Sequence, residues 1–304
     1  MQKRIKVGFV PCYTLFLLHN KRNRTALTVL SFTILIWIGS FLAGLLGALT
    51  GLGGGVVIVP LLALVFHVDI RYAIGASLIS VIATSSGAAA AYVKEGYSNI
   101  RIGMFLEVAT TSGAIVGAFI AAHVHTSTIA IIFGLVLLYS SYLSSKPKED
   151  HVVEAPPDPL ATRLRMNGTY PTPEGMKSYN VYHVPTGFSL MFVAGALSGL
   201  LGIGSGAVKV LAMDQAMAIP FKVSTTTSNF MIGVTAAASA GIYLNRGYID
   251  PGLAMPVMLG VLLGSLVGAR LLVLARVKML RTIFSLVILA LALEMIFNGI
   301  TGRL

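Results

Sequence analysis

Lys209 is the residue from which a chemical reading of this chain starts. It lies just after a glycine-rich break, Gly202-Ile203-Gly204-Ser205-Gly206, in an otherwise apolar stretch. A cation inside such a stretch is expensive in lipid and usually faces a cavity or a counter-charge, so a bound anion would explain it. The backbone N–H groups of Gly204, Ser205 and Gly206 open the segment that follows, where the positive end of a helix dipole also favours an anion. Two blander roles stand beside that one: a pair with Asp214, or a side chain that snorkels to the interface.

A row of hydrogen-bonding side chains follows at Thr225-Thr226-Thr227-Ser228-Asn229. Residues three and four apart share a helix face, so Thr225, Ser228 and Asn229 form the set best able to grip one solute. Hydroxyls and an amide suit an oxyanion or a neighbouring helix equally, and Asn229 stands out because an unpaired amide in hydrocarbon is costly. Ser77, in Gly75-Ala76-Ser77, is their counterpart in the first half. Glu107, in the body of a span, reads as a carrier of a coupling proton or as a snorkelling side chain. Arg270, near a span end, reads as an interface anchor, and the hydroxyls of Thr84, Ser85, Ser86, Thr110, Thr111 and Ser112 as interhelical hydrogen bonds. His123 and His125 do not share a helical face and no carboxylate or cysteine joins them, so no metal site is expected. No cofactor is expected either. Neither glycine run continues into Gly-Lys-Ser/Thr, and no His-Glu-x-x-His or Gly-x-Ser-x-Gly occurs, which removes Walker-type phosphate loops and the commoner hydrolase signatures. The chain therefore does not read as an enzyme.

These residues need elements to hold them, and composition says which. Of 304 residues 56% are hydrophobic and only 11% charged, which excludes an ordinary soluble domain. Apolar stretches approach the ~20 residues a helix needs to cross a bilayer and lack the alternation of barrel strands, so an all-α polytopic integral membrane protein is expected. The formal charge of +11 comes mainly from the N-terminal segment and the loops, which points to membrane orientation and not to nucleic acid. The lone Cys12 leaves no intrachain disulfide. Residues 1–24 read as a cytoplasmic interfacial segment, 25–144 as a first transmembrane unit, 145–185 as a polar, proline-bearing linker and 186–304 as a second unit.

The two units share one pattern. Gly51-Leu52-Gly53-Gly54-Gly55 recurs 151 positions later as Gly202 to Gly206, and the same offset sets Ser77 under Ser228, Thr84 under Thr235, Gly113 under Gly264 and Gly117 under Gly268. This is the signature of an internal duplication, with a Gly-rich broken helix in each half. A helix in lipid tolerates such a break only where the freed backbone faces protein, water or a solute, so Gly53, Gly54 and Gly55 join the candidate site. The ridges Gly113-x-x-x-Gly117 and Gly260-x-x-x-Gly264-x-x-x-Gly268 read as close helix packing. Loop charges favour two parallel repeats of four net crossings, with inverted repeats of five as the alternative.

Ala194 to Val210, Thr227 to Ala236 and Gly260 to Arg270, with the first-half glycine run, resemble the TauE/SafE sulfite-exporter family over roughly residues 35–298. The resemblance implies a secondary carrier for sulfite, sulfonates or related organosulfur anions in a prokaryotic inner membrane. The basic residues flanking the first apolar piece put the N-terminus in the cytoplasm, and the partners expected are the small anion and the bilayer, not nucleic acid, with a homo-oligomer left open. An anion channel, or a carrier for a small carboxylate, is the alternative. Two departures from the family pattern stand in the second half. Ser205 replaces a glycine, and Leu211 stands where a proline is common, although Pro60 is kept at the equivalent position in the first half. The second break is accordingly expected to be less sharply kinked.

Overall fold

The computed structural model describes residues 29–50, 54–94, 98–145, 158–172, 175–204, 206–272 and 277–302. Segment 1–24 and the site residues Gly53 and Ser205 lie outside the described residues. Helix dominates. α1 (Val29–Thr50) leads to the first break, and α2 (Gly55–Pro60) follows it and widens into a π-helical turn, Leu61–Val65. Then come α3 (Ile70–Lys94), α4 (Ile100–Ala121) and α5 (Thr126–Ser145). A short α6 (Pro159–Arg163) and the strands β1 (Gly168–Thr172) and β2 (Gly175–Tyr179) occupy the connector. The second half runs through α7 (Val184–Leu201), α8 (Gly206–Leu211) with its π turn Ala212–Ala216, α9 (Phe221–Asn245), α10 (Pro251–Leu272) and α11 (Val277–Thr301).

The offset seen in the residues also governs the elements. The bounds of α2, its π turn, α3 and α4, each moved by 151, are the bounds of α8, its π turn, α9 and α10. The caps correspond as well: Asn99 accepts from Ile102 N at 3.2 Å to start α4, and Asp250 accepts from Gly252 N at 2.8 Å to start α10. The second broken segment was expected to be straighter for want of a proline. It shows the same π turn in the same register with Leu211 in place of Pro60, so proline is not what widens the helix there.

Small residues set how the long helices meet. A Cβ on Gly113 would collide with the Phe192 carbonyl and one on Gly117 with that of Ala196, while Gly195 and Gly199 return the contact against Thr110 and Ala114. α4 and α7 are thus in backbone contact, as the ridge pattern suggested. α1 and α10 meet in the same way, with Gly260 against Trp37 and Gly264 against Phe41.

These contacts also give direction, and they overturn the parallel arrangement. Gly134 meets Ala292 and Ile296 whereas Gly299 meets Ser127 and Ala130, so α5 and α11 run antiparallel. Gly75, early in α3, meets Tyr248 just beyond α9, and Asn99, just beyond α3, donates to Thr227 early in α9. Offset-related helices are therefore inverted. The loop-charge count failed because it gave each glycine unit one net crossing. In the structure α2 folds back along α1, with Gly54 beside Gly44, Leu61 beside Gly39 and the Phe66 ring edge-on to Phe32 at 5.9 Å. Arg71 and Arg246 then lie at one end of the bundle and Arg101, Arg163, Arg165 and Lys177 at the other.

The connector is more than a tether. Ala161, Met166, Tyr170 and Val181 are buried against Ile102, Leu106, Met213, Met217 and Val223. Asp158 binds α6 and α7 together, accepting from Leu160 N at 2.8 Å and from Val184 N at 2.9 Å. The outer faces of α4 and α10 expose Met104, Val108, Phe119, Met255, Leu259 and Leu266, the surface a bilayer solvates. The chain is an all-α polytopic membrane protein.

Candidate functional site

The two breaks meet inside the bundle. Ser77, on α3, donates to the Gly202 carbonyl at 2.8 Å and lies 3.4 Å from that of Gly55, so one hydroxyl spans the first break and the second. Gly202 ends α7 with φ of 67° and Gly204 repeats that left-handed value, a conformation that disfavours any side chain. Ser228 stands opposite in the second half, its Oγ 3.4 Å from the Gly206 carbonyl. Ser77 and Ser228 are buried, as are Gly54, Gly55, Gly204 and Gly206.

Thr225 and Asn229 are one helical turn apart on α9 and have polar atoms to spare. Among the described residues, the buried Thr225 Oγ1 has no hydrogen-bond partner and the half-buried Asn229 side chain makes no hydrogen bond. Thr227, by contrast, is committed to Asn99 N at 3.1 Å.

Lys209 is 0% exposed, so it does not snorkel. Helical side chains lean toward the N-terminus of their own helix, which carries its ammonium toward the middle of the bundle. There Nζ donates to Thr235 Oγ1 at 2.6 Å, and that hydroxyl donates in turn to Glu107 Oε1 at 2.7 Å. Thr111 donates to the same Oε1 at 2.9 Å. Neither the pair with Asp214 nor a snorkelling Glu107 describes this arrangement. A cation from the second half and a carboxylate from the first face each other across one threonine, both screened from water. Intramembrane charges pair with one another for the reason that unpaired ones are so costly.

The sequence reading placed Lys209 in the site but not its partners. In the sequence Glu107 stands alone, and Thr235 only marks the repeat. One acid and one base, each isolated in an apolar span, were a usable signal; nothing in spacing said they would meet. The other span hydroxyls do not bridge helices as expected. Thr84, Ser86, Thr110 and Ser112 bond carbonyls of their own helices, which satisfies them locally. The Arg270 side chain lies outside the described residues.

Away from this centre, a cavity of about 280 Å³ opens under the hairpin, lined by Ser98, Asn99, Arg101, Arg165, Thr169 and Tyr179 among others. Burial pushes the Tyr179 hydroxyl above its ordinary value, and the hydrogen bond from Asn99 Nδ2 at 2.7 Å partly offsets that.

Paired helix breaks, with a buried lysine and glutamate joined through one threonine in an apolar bundle, place the chain among polytopic membrane proteins of the broken-helix kind. The family model described as Sulfite exporter TauE/SafE matches residues 36–295, and the chain belongs to that family. Relatives are described as probable membrane transporter proteins. YunE of Bacillus subtilis is 28% identical, covering 89% of this chain and 99% of its own. MJ0441 of Methanocaldococcus jannaschii is 25% identical, covering 78% and 85%, and ORF9 of a Sinorhizobium species 22%, covering 86% and 91%. No solved structure matches the chain. The protein is a membrane transporter.

Proposed function

We propose that this transporter is a secondary carrier, not an enzyme, that moves a small sulfur-containing anion such as sulfite or a sulfonate across the prokaryotic inner membrane. Lys209 carries the reading: a fully buried cation on the half-helix that follows the second break has a use if the cargo is an anion. The family's description as a sulfite exporter supports the sulfur oxyanion over a carboxylate. In this scheme the anion binds where the breaks meet. Amides of Gly53, Gly54, Gly55, Gly204, Ser205 and Gly206 coordinate its oxygens, and Thr225, Ser228 and Asn229 orient it. Ser77 holds the breaks together, and Lys209, whose ammonium has three N–H donors, supplies the charge. Residues 25–144 and 186–304 are the two repeats of a duplication, and rocking of one against the other alternates access.

With residues 1–24 cytoplasmic, the inverted helices leave the 145–185 connector on the opposite side. A reporter fused within it that reads out in the cytoplasm would reverse this orientation. For function, reconstituted protein should exchange labelled sulfite or sulfonate saturably, whereas a channel would pass current without counter-substrate. Exchange that survives Lys209→Ala at the wild-type rate would remove the central cation, and preference for carboxylates would remove the sulfur anion.

A further inference from the structure

Glu107 is a buried ionisable group that anion binding alone leaves without a role. It is 7% exposed. Its Oε1 accepts from both Thr235 and Thr111, but its Oε2 is buried and, among the described residues, has no hydrogen-bond partner. A carboxylate oxygen left bare in an apolar interior is costly, and native proteins rarely leave one without a reason. A bound proton is such a reason, because it turns the orphaned oxygen into a neutral hydroxyl.

Charge balance says when the proton would arrive. With the site empty, Lys209 and Glu107 sum to zero across Thr235. An anion at Lys209 leaves one excess negative charge among groups that are all screened from water, where like charges repel strongly. One proton on Glu107 cancels it. Among the described residues, α8 presents Lys209 to Glu107, α9 presents Thr235, α4 itself Thr111, and α7 lays Gly195 against the neighbouring Thr110 backbone. Thr235 is placed to report the change. It has one hydroxyl hydrogen and two oxygens within reach, Glu107 Oε1 at 2.7 Å and the Met231 carbonyl at 2.9 Å, while it accepts from Lys209.

We propose that Glu107 is a proton-binding site that couples proton movement to anion movement. One proton from water bonds to Oε2 as one monovalent anion settles beside Lys209, and on the far side the O–H bond breaks and both leave together. No electron is transferred, and the combined cargo is neutral. The proposal rests on the anion-carrier reading, so its test must separate the two.

The probes are sulfite and two permanently ionised sulfonates, methanesulfonate and isethionate, which carry no titratable proton of their own near neutral pH. Exchange of labelled probe in proteoliposomes tests the anion reading; if no probe exchanges, that reading and this one fall together. For a probe that exchanges, net uptake should carry about one proton per sulfonate, read with an entrapped pH dye, and a pH gradient that is acidic outside should drive accumulation. Anion uptake with no proton flux in the wild type would overturn Glu107 coupling and leave the carrier standing. In Glu107→Gln, whatever exchange remains should carry no proton and no longer respond to the pH gradient. Infrared difference spectra of the wild type, with and without probe in detergent, supply a measurement independent of variant folding. A protonated-carboxyl band should appear on binding and be missing in Glu107→Gln, and its absence from the wild type would equally overturn the proposal.

Discussion

The two broken helices have the same bounds at one offset and opposite chemistry. In the first, Val56, Val57, Ile58, Val59 and Leu62 are all buried hydrophobics. In the second, the position equivalent to Ile58 is Lys209, equally buried. The difference extends to what each unit faces. Lys209 reaches Thr235 and through it Glu107, whereas the positions that the same offset sets against Thr235 and Glu107 are Thr84 and Met258, with no acid among them. Thr84 spends its hydroxyl on Ser80 O at 3.0 Å, inside its own helix. The matching glycine runs thus supply two like frames, and the two offset-related positions that differ, Ile58 against Lys209 and Met258 against Glu107, make one of them electrostatic. A fold built from like halves need not have a symmetric site.

The largest effect should come from forcing the charge into the apolar frame. Ile58→Lys puts an ammonium where no carboxylate waits, and a lone buried charge costs at least about 4 kcal/mol before the group neutralises or the helices part. We expect little folded protein by size-exclusion chromatography. Ile58→Lys combined with Met258→Glu should recover part of the loss, since it rebuilds the pair seen in the other half. Recovery equal to zero would mean that the offset does not carry side-chain geometry across the halves.

A smaller effect is expected from removing charge from the charged frame. Lys209→Met strands Glu107 and should cost about 3 kcal/mol in thermal unfolding, the usual consequence of breaking a buried pair from one side. Lys209→Met with Glu107→Leu removes both charges and should return most of that stability while leaving transport abolished. If the double variant were no more stable than the single one, Lys209 and Glu107 would not be coupled.

Much of the frame could be read without coordinates. The composition gave the helices, the repeat of glycines gave the paired breaks, and the ridges Gly113-Gly117 and Gly260-Gly264 gave the closest contacts, because each of these is a local or periodic property. The direction of the repeats could not be read, since it depends on α2 turning back along α1, and a turn-back leaves no mark that hydropathy distinguishes from a crossing. The fold of the connector was hidden for a related reason. Its few apolar residues, Met166, Tyr170 and Val181, are too sparse to show a period, yet they dock on Leu106 and Met217. Within the site, Lys209 was conspicuous as a charge out of place, while Glu107 became its partner only through the contact of a first-half helix with two second-half ones.

The finest comparison is between the two threonines. Thr235 and Thr84 occupy offset-related positions, and both hydroxyls reach the carbonyl one turn back in their own helix, Met231 O at 2.9 Å and Ser80 O at 3.0 Å. Only Thr235 also stands between two charges. Thr→Val is close in shape and removes the hydroxyl, so the pair of variants isolates that extra role. Thr84→Val should shift stability within about 0.5 kcal/mol, because its carbonyl partner is already bonded in the helix. Thr235→Val should cost about 1–3 kcal/mol, the range for leaving hydrogen-bonding groups of a buried network unsatisfied. Thermal unfolding of both in one detergent gives the difference directly. Equal shifts would reduce Thr235 to a helix residue like its twin, and the charged frame would have to hold together without it.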